Sequence, residues 1–512
     1  AKLNGADFDP KFDGETVFLP ALDAENVLEI EHEGIYSNSG EGLHRFVDPA
    51  DNEVYLYTQF ETGDARRMYA CFDQPDIKAT FTFSVTAPDH WKVVSNSTTP
   101  MPSSVSDGIA KWEFPATKKM STYITAIVAG PYYEVRDEYQ GKFGNYPLGL
   151  FCRSSLSEYL DPEDLFTVTK QGFKYFEEAF DYGYPFEKYD QLFVPEFNAG
   201  AMENAGCVTH HESYVFRSKV TRATYEQRAN TVLHEMAHMW FGDLVTMRWW
   251  NGIWLNEAFA TFMEYAACDA FAPQWKLWTT FGLDRTAAFE VDSLHNTRTV
   301  EFPVNSPADA DGMFDVLTYQ KGGAILRMLE QYIGPDRFRA GVSHYLKTHA
   351  YGNTETNDLW DAIEHVVSTD GGPIVPVRRL MDSWIWQAGY PLISVRIDGT
   401  DLVLSQRQFT FDNSPDATLW VVPIHVRIGS TSSKVLLETD EIRIPLTDTS
   451  ATIVVNANGP GFYRVEYSAD LLSRITGSTL SSLDTLERYN LVDDAWNAVV
   501  AGAMSSDAYI AF

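Results

Sequence analysis

Apolar residues follow different rhythms along this chain, and each rhythm marks a region. Up to about residue 135 the period is two. The stretch TFTFSVT sets Phe81, Phe83 and Val85 on one side and Thr80, Thr82, Ser84 and Thr86 on the other, which predicts a half-buried strand. STYITAIVAG, residues 121–130, reads as a buried strand closing this region. Asp161-Pro162 then supplies a helix cap and first turn, and Phe166, Phe173, Phe176 and Phe180 recur at helical spacing. DYGYP, residues 181–185, stops that helix, and helical patterns dominate from there to about residue 388.

Near Gly389 alternation returns. LISVRIDGTDLVLSQ predicts a hairpin with Asp398-Gly399 in its turn, and VVPIHVRI, SKVLLET and ATIVVNA extend a small β-sandwich to about Tyr467. The last stretch is helical, with Tyr489, Val492, Trp496 and Val499 on one stripe. With that face uncovered, the chain is expected to stop inside a further helical domain. The pattern therefore divides into residues 1–147 (β-rich), 148–388 (mainly helical), 389–467 (β-sandwich) and 468–512 (the start of a helical domain). An α+β multidomain protein is the expected class.

Composition narrows the partners. The chain's 512 residues exceed what one core organises, and 45% hydrophobic content marks a folded protein. Lys and Arg number 39 against 71 Asp and Glu, a formal charge of −32 that repels phosphate backbones and argues against nucleic acid. Cationic ligands, a free amino terminus among them, are favoured instead. No run of eighteen apolar residues is present, so no membrane span is expected, and AKLNGADFDPKFDGE lacks the apolar core of a signal peptide. Cys71, Cys152, Cys207 and Cys268 are scattered without a C-x-x-C pair. A reduced, cytoplasmic setting is the expectation, with room for one disulfide.

The chemistry concentrates in TVLHEMAHMWFGDLVTMRWWNGIWLNEAFATFMEY, residues 231–265. On a helix His234 and His238 project to one side and can share a tetrahedral zinc, with Glu235 on the flank. With eighteen residues between it and His238, Glu257 offers a third ligand from a second helix and leaves the fourth position to water. Glu264, seven further on the same face, can accept a ligand histidine's other N–H. The competing reading is a buried helix with chance polar residues, but four such groups buried without a metal would carry a large desolvation cost. His210-His211-Glu212 is a weaker candidate, because adjacent histidines point apart. His344 and His349 are off a common helical face, so ordinary surface or core roles are expected for them, and Cys207, with no base placed for it, is expected to serve in packing.

Three more stretches extend this: NAGAMENAG upstream, YTQFETGDARRMYACFDQPDIKATF far upstream, and FDVLTYQKGGAILRML downstream. Together with H-E-x-x-H and the glutamate that follows eighteen intervening residues, they closely resemble the aminopeptidase N family of gluzincin metallopeptidases, of bacterial type. The resemblance runs in order from about residue 40 to the end. It implies an N-terminal β-saddle, a thermolysin-like mixed α/β catalytic domain, a β-sandwich and the start of a C-terminal helical domain. It also implies one zinc per chain on His234, His238 and Glu257, with Glu235 as general base and Tyr319 donating to the developing oxyanion. Glu203 and Glu61 match the carboxylates that bind the substrate's α-ammonium, so that only the first peptide bond reaches the metal. Gly200, Ala201, Met202 and Asn204 complete the G-A-M-E-N substrate-binding stretch, and Gln59, Ala199 and Phe314 fall where the family lines its first side-chain pocket.

The sequence departs from the family pattern in places. Ala258 follows Glu257 where glycine is common, and Gly323 follows Gly322 where alanine is common. The first saddle strands and almost the whole C-terminal helical domain are expected to be missing, as in a truncated chain. The implied function is a zinc aminopeptidase, a monomer acting on peptides with a free amino terminus. The rivals are a thermolysin-like endopeptidase with an open cleft and a non-catalytic scaffold on the same zinc fold.

Overall fold

A computed structural model describes residues 1–412 and 416–511. The chain forms two compact units, Ala1–Glu138 with Tyr146–Pro162 and Phe186–Lys219, and Tyr139–Asn145 with Glu163–Pro185 and everything from Val220 onward.

The first unit is built of strands. Gly42–Val47, Val54–Gln59, Ile127–Gly130 and Lys92–Ser95 form one sheet in that order, and Ser103–Ser106, Ile109–Glu113 and Ser84–Pro88 form another. Leu56, Val93, Ala110, Trp112, Phe114 and Ala129 are buried together as a core. The alternation read at residues 80–86 holds: Phe81, Phe83 and Val85 are half-buried while Thr80, Thr82, Ser84 and Thr86 are exposed. Only Ser84–Pro88 of that stretch pairs as a strand, however, and residues 122–124 form a 3-10 turn before Ile127–Gly130. A correction also falls on the mainly helical region. Tyr189–Val194 lies parallel both to Asn145–Cys152 and to Cys207–His211, and Ala201–Met202 pairs antiparallel with the latter.

The second unit carries the long helices. We number these α1 Pro162–Phe180, α2 Arg222–His238, α3 Trp254–Phe271, α4 Leu277–Asp292 and α5 Gly322–Ile333. In α1, Glu163 and Asp164 sit in the first turn, where negative charge favours the helix, and Phe166, Phe173, Phe176 and Phe180 are all buried. Asp181, at φ 46°, ends it. A β-carbon on Gly172 would stand 2.3 Å from Leu233 Cδ2, so the bare glycine lets α1 lie close against α2. The side chain of Thr221 caps α2 by accepting from Thr224 N.

The sandwich follows. Glu441–Pro445, Asp401–Gln408, Pro391–Asp398 and Arg464–Tyr467 form one sheet, and Thr431–Leu437, Val422–Ile428 and Ile453–Val455 the other. The first hairpin turns through Gly399-Thr400, with Asp398 opposite Asp401 and Gly399 at φ 64°. A last long helix, Thr485–Val500, starts on a capping box between Asp484 and Glu487. Of its expected apolar stripe, Val492 and Trp496 are exposed, whereas Tyr489 and Val499 are half-buried. The Tyr489 hydroxyl lies 2.8 Å from Thr286 Oγ1.

Candidate functional site

Two helices of the second unit supply the metal candidates. Four residues make just over one turn, so His234 and His238 leave α2 on one side, and α3 presents Glu257 in its first turn. His234 Nε2 lies 3.1 Å from His238 Nε2 and 3.2 Å from Glu257 Oε2, and His238 Nε2 lies 3.4 Å from that same oxygen. The three atoms make a nearly equilateral triangle.

The outer ring nitrogens decide what this triangle is for. His238 Nδ1 stands 2.9 Å from the Phe241 carbonyl, which can only accept, so Nδ1 carries the proton and the neutral ring's Nε2 offers a lone pair. His234 Nδ1 likewise donates to Glu264 Oε2 at 2.7 Å. Two lone pairs and a carboxylate oxygen then converge, an arrangement that calls for a cation among them. A tetrahedral zinc with bonds of about 2.0–2.1 Å spaces its ligand atoms by about 3.3–3.4 Å, so the residues fit the ion.

A proton on either Nε2 would turn that atom into a donor to Glu257, and the electrostatics show how strongly the triangle holds such a charge. Burial alone would lower the pKa of His234, but hydrogen bonds to Glu257 and Glu264 hold it well above its ordinary value. Burial alone would raise Glu257, yet the His238 charge and hydrogen bonds from both histidines pull it below the carboxylate range. The pocket favours positive charge, and a proton competes with a metal for it.

Phe241 was not legible in advance, since any residue offers a carbonyl. The available signal was Gly242: at φ 131° it lets the chain fold back under His238, and a β-carbon there would stand 3.3 Å from Nδ1.

Glu235 sits on α2 between the two histidines and is buried, outside the triangle. The Tyr319 ring stacks on His234 with centroids 6.1 Å apart, and Phe314, half-buried, lies five residues before it.

In the first unit, strand pairing sets Ala201 opposite His210 and Met202 opposite Thr209. Glu203 follows and is buried, and Glu61 follows the strand Val54–Gln59. A carboxylate oxygen of Glu61 and one of Glu203 lie within 4.8 Å of each other. Gln59 Nε2 donates to Met202 Sδ at 3.4 Å, and Asn204 Nδ2 to Thr209 Oγ1 at 3.2 Å. Ala199 and Gly200 are exposed.

The weaker candidates go elsewhere. His210 is buried against the Phe193 ring, His211 Nδ1 accepts from Ser213 N, and Glu212 pairs with Arg153. His344 stacks on His365. Burial pushes the Cys207 thiol up to about 12, where it is a poor nucleophile. All four cysteines are unpaired, and no helix among the described residues is long and apolar enough to cross a membrane.

Known families place this arrangement. Residues 165–384 match the peptidase family M1 domain, 13–124 the peptidase M1 N-terminal domain, and 452–512 the ERAP1-like C-terminal domain. The chain belongs to the M1 peptidase family, that of aminopeptidase N. It is 49% identical to aminopeptidase N of Streptomyces lividans over 403 residues, covering 77% of this chain and 46% of that one. Identity to aminopeptidase M1 of Arabidopsis thaliana is 34% over 501 residues (94% and 56%), and to a leucyl aminopeptidase of Saccharolobus solfataricus 32% over 517 residues (99% and 63%). The chain spans about half the length of the curated relatives it matches.

Proposed function

We propose that this chain carries the catalytic centre of a zinc aminopeptidase that removes the first residue from peptides with a free α-amine. The observation that carries this is the donor triangle, whose outer histidine nitrogens are both committed to oxygen acceptors. His234, His238 and Glu257 would hold one zinc per chain. When bound, that ion supplies a Lewis acid that polarises the scissile carbonyl and makes a water acidic near neutral pH.

The chain's own groups do the rest. Glu235, buried beside both histidines yet free of ligand duty, takes a proton from the attacking water and passes it to the leaving amine. The Tyr319 hydroxyl donates to the carbonyl oxygen as charge builds there. Glu61 and Glu203 hold the α-ammonium by charge-assisted hydrogen bonds. Gly200, Ala201, Met202 and Asn204 complete the substrate-binding stretch, and Gln59, Ala199 and Phe314 line the pocket for the first side chain. The reading includes a cytoplasmic monomer, a setting that four unpaired cysteines fit.

Convergent carboxylates separate this reading from an open-cleft endopeptidase, which needs no amine site. The test is a panel of fluorogenic aminoacyl amides, each with and without N-acetylation. Free amines should be cleaved and blocked ones left intact; equal rates on acetylated, internally cut peptides sink the proposal. Glu235→Gln should retain zinc and lower turnover at least ~10²-fold. Near-normal turnover in that variant removes Glu235 from the mechanism.

A further inference from the structure

Tyr319 is carried by one wide turn. Over Leu317–Lys321 the helix is of the π kind, and Lys321 N donates to Val316 O, five residues back, at 3.0 Å. Such turns are rare and occur mostly singly, frequently at functional sites. Ionic groups bracket this one at both ends. Upstream, Arg298 Nη2 donates to Asp315 Oδ1 at 2.6 Å and Thr318 Oγ1 at 2.9 Å. Asp315 Oδ1 also accepts Leu317 N at 2.9 Å and Thr318 N at 3.2 Å.

Downstream, Lys321 Nζ donates to Asp292 Oδ2 at 2.7 Å and to the Gly389 carbonyl at 3.1 Å. Both side chains of this pair are wholly buried. The other oxygen of Asp292 accepts the Thr297 hydroxyl at 2.8 Å and Gly389 N at 2.9 Å. Asp292 is thus fixed at the end of α4 before Lys321 meets it.

We propose that the Lys321–Asp292 ion pair is a positioning pair for Tyr319, fixing the far end of the π-turn so that the phenol hydroxyl stands where the oxyanion forms. The proposal rests on the role given to Tyr319 above. A buried ion pair is a poor source of stability, because desolvation offsets its attraction and apolar groups of like volume can replace it at little cost. What it supplies is direction. An ammonium held by a doubly anchored carboxylate and a carbonyl has one place to be, whereas an apolar chain could slide along its neighbours. Lys321 lies two residues beyond Tyr319, so freedom at one passes to the other. The competing role is a plain tie between α4 and the start of the sandwich at Gly389.

Lys321→Met combined with Asp292→Asn removes both charges together, so that neither charge is left buried without its counter-ion. The measurements are kcat and KM on a free-amine aminoacyl amide, zinc content and melting temperature, each made with Tyr319 and again with Tyr319→Phe. With Tyr319 present, the double variant should keep its zinc and its KM while kcat falls about 10–100-fold. With Tyr319→Phe it should lower kcat no further, because coupled groups are not additive. An unchanged kcat, or the same fold-loss in both backgrounds, overturns the proposal, since a plain tie does not depend on the phenol hydroxyl. If the double variant does not fold, Thr297→Val, which removes one bond to Asp292, is read in both backgrounds by the same criteria. If Tyr319→Phe alone leaves kcat unaltered, the oxyanion role falls and this proposal with it. If Tyr319→Phe is crippled and the pair variant is not, only the pair's role falls.

Discussion

A β-carbon on Gly322 would stand 2.5 Å from the methyl of Ala258. Real carbons do not approach so closely, so α5 meets α3 there because one of the two residues lacks a side chain. Ala258 directly follows Glu257, and Gly322 directly follows the turn that carries Tyr319. The alanine that departs from the family pattern is accommodated by the glycine facing it.

Gly322→Ala should therefore force the two helices apart. Overpacking of this kind costs about 1–3 kcal/mol, and the displaced turn should lower kcat as well. Adding Ala258→Gly should restore both the melting temperature and kcat. Failure of that second change to rescue the first would show that the two residues do not share one contact.

The triangle was legible because its parts obey simple spacing: four residues on one helix, then a carboxylate opening the next. The strand Tyr189–Val194 was not, and the reason is physical. All six of its residues are buried, so no polar face alternates with an apolar one. The π-turn leaves no local signature either, and the groups that bond it, Arg298 and Asp292, are distant in sequence. Alternation at Phe81, Phe83 and Val85 was readable since one side of that stretch meets solvent. Sequence pattern reports the contrast between two faces, and where there is none it reports nothing.

Glu264 should act through the metal. Its bond to His234 Nδ1 holds that ring's tautomer and orientation. Removing such a partner typically weakens metal binding 10–100-fold, and Glu264→Ala should do so in competition with a zinc chelator. Saturating zinc should then recover much of the turnover. An unaltered zinc affinity would mean that His234 is oriented by packing alone.

His210 makes stability depend on pH. Burial pushes its pKa down to about 3, and neither ring nitrogen has a hydrogen-bond partner among the described residues. The unfolded chain takes up a proton near pH 6.5 while the folded one does not. Stability is therefore fully present above about pH 6.5 and is lost as pH falls toward 3, by up to ~1.4 kcal/mol per pH unit. By pH 5 this one residue accounts for about 2 kcal/mol. His210→Phe, which keeps a ring against Phe193, should flatten the acid limb. Urea unfolding at pH 7.5 and pH 5 checks it: a gap between variant and wild type that does not change with pH shows the imidazole to be already solvated.

Glu203 offers the sharpest division between cutting ends and cutting middles. Its buried carboxylate shares a small space with that of Glu61, and two such charges repel as they lose hydration. In the proposed role a free ammonium would relieve this by donating to each, and would also fix which peptide bond can react. An acetylated terminus brings neither the charge nor enough donors. Glu203→Ala should then cost about 3–5 kcal/mol of transition-state stabilisation on free-amine substrates, the range for breaking a buried charge pair. On acetylated substrates the same change should cost almost nothing, because no pair was formed there. The quantity to measure is the ratio of kcat/KM for the free and acetylated forms of one amide, in wild type and variant. A ratio that stays constant on losing Glu203 would show that this carboxylate does not read the amine.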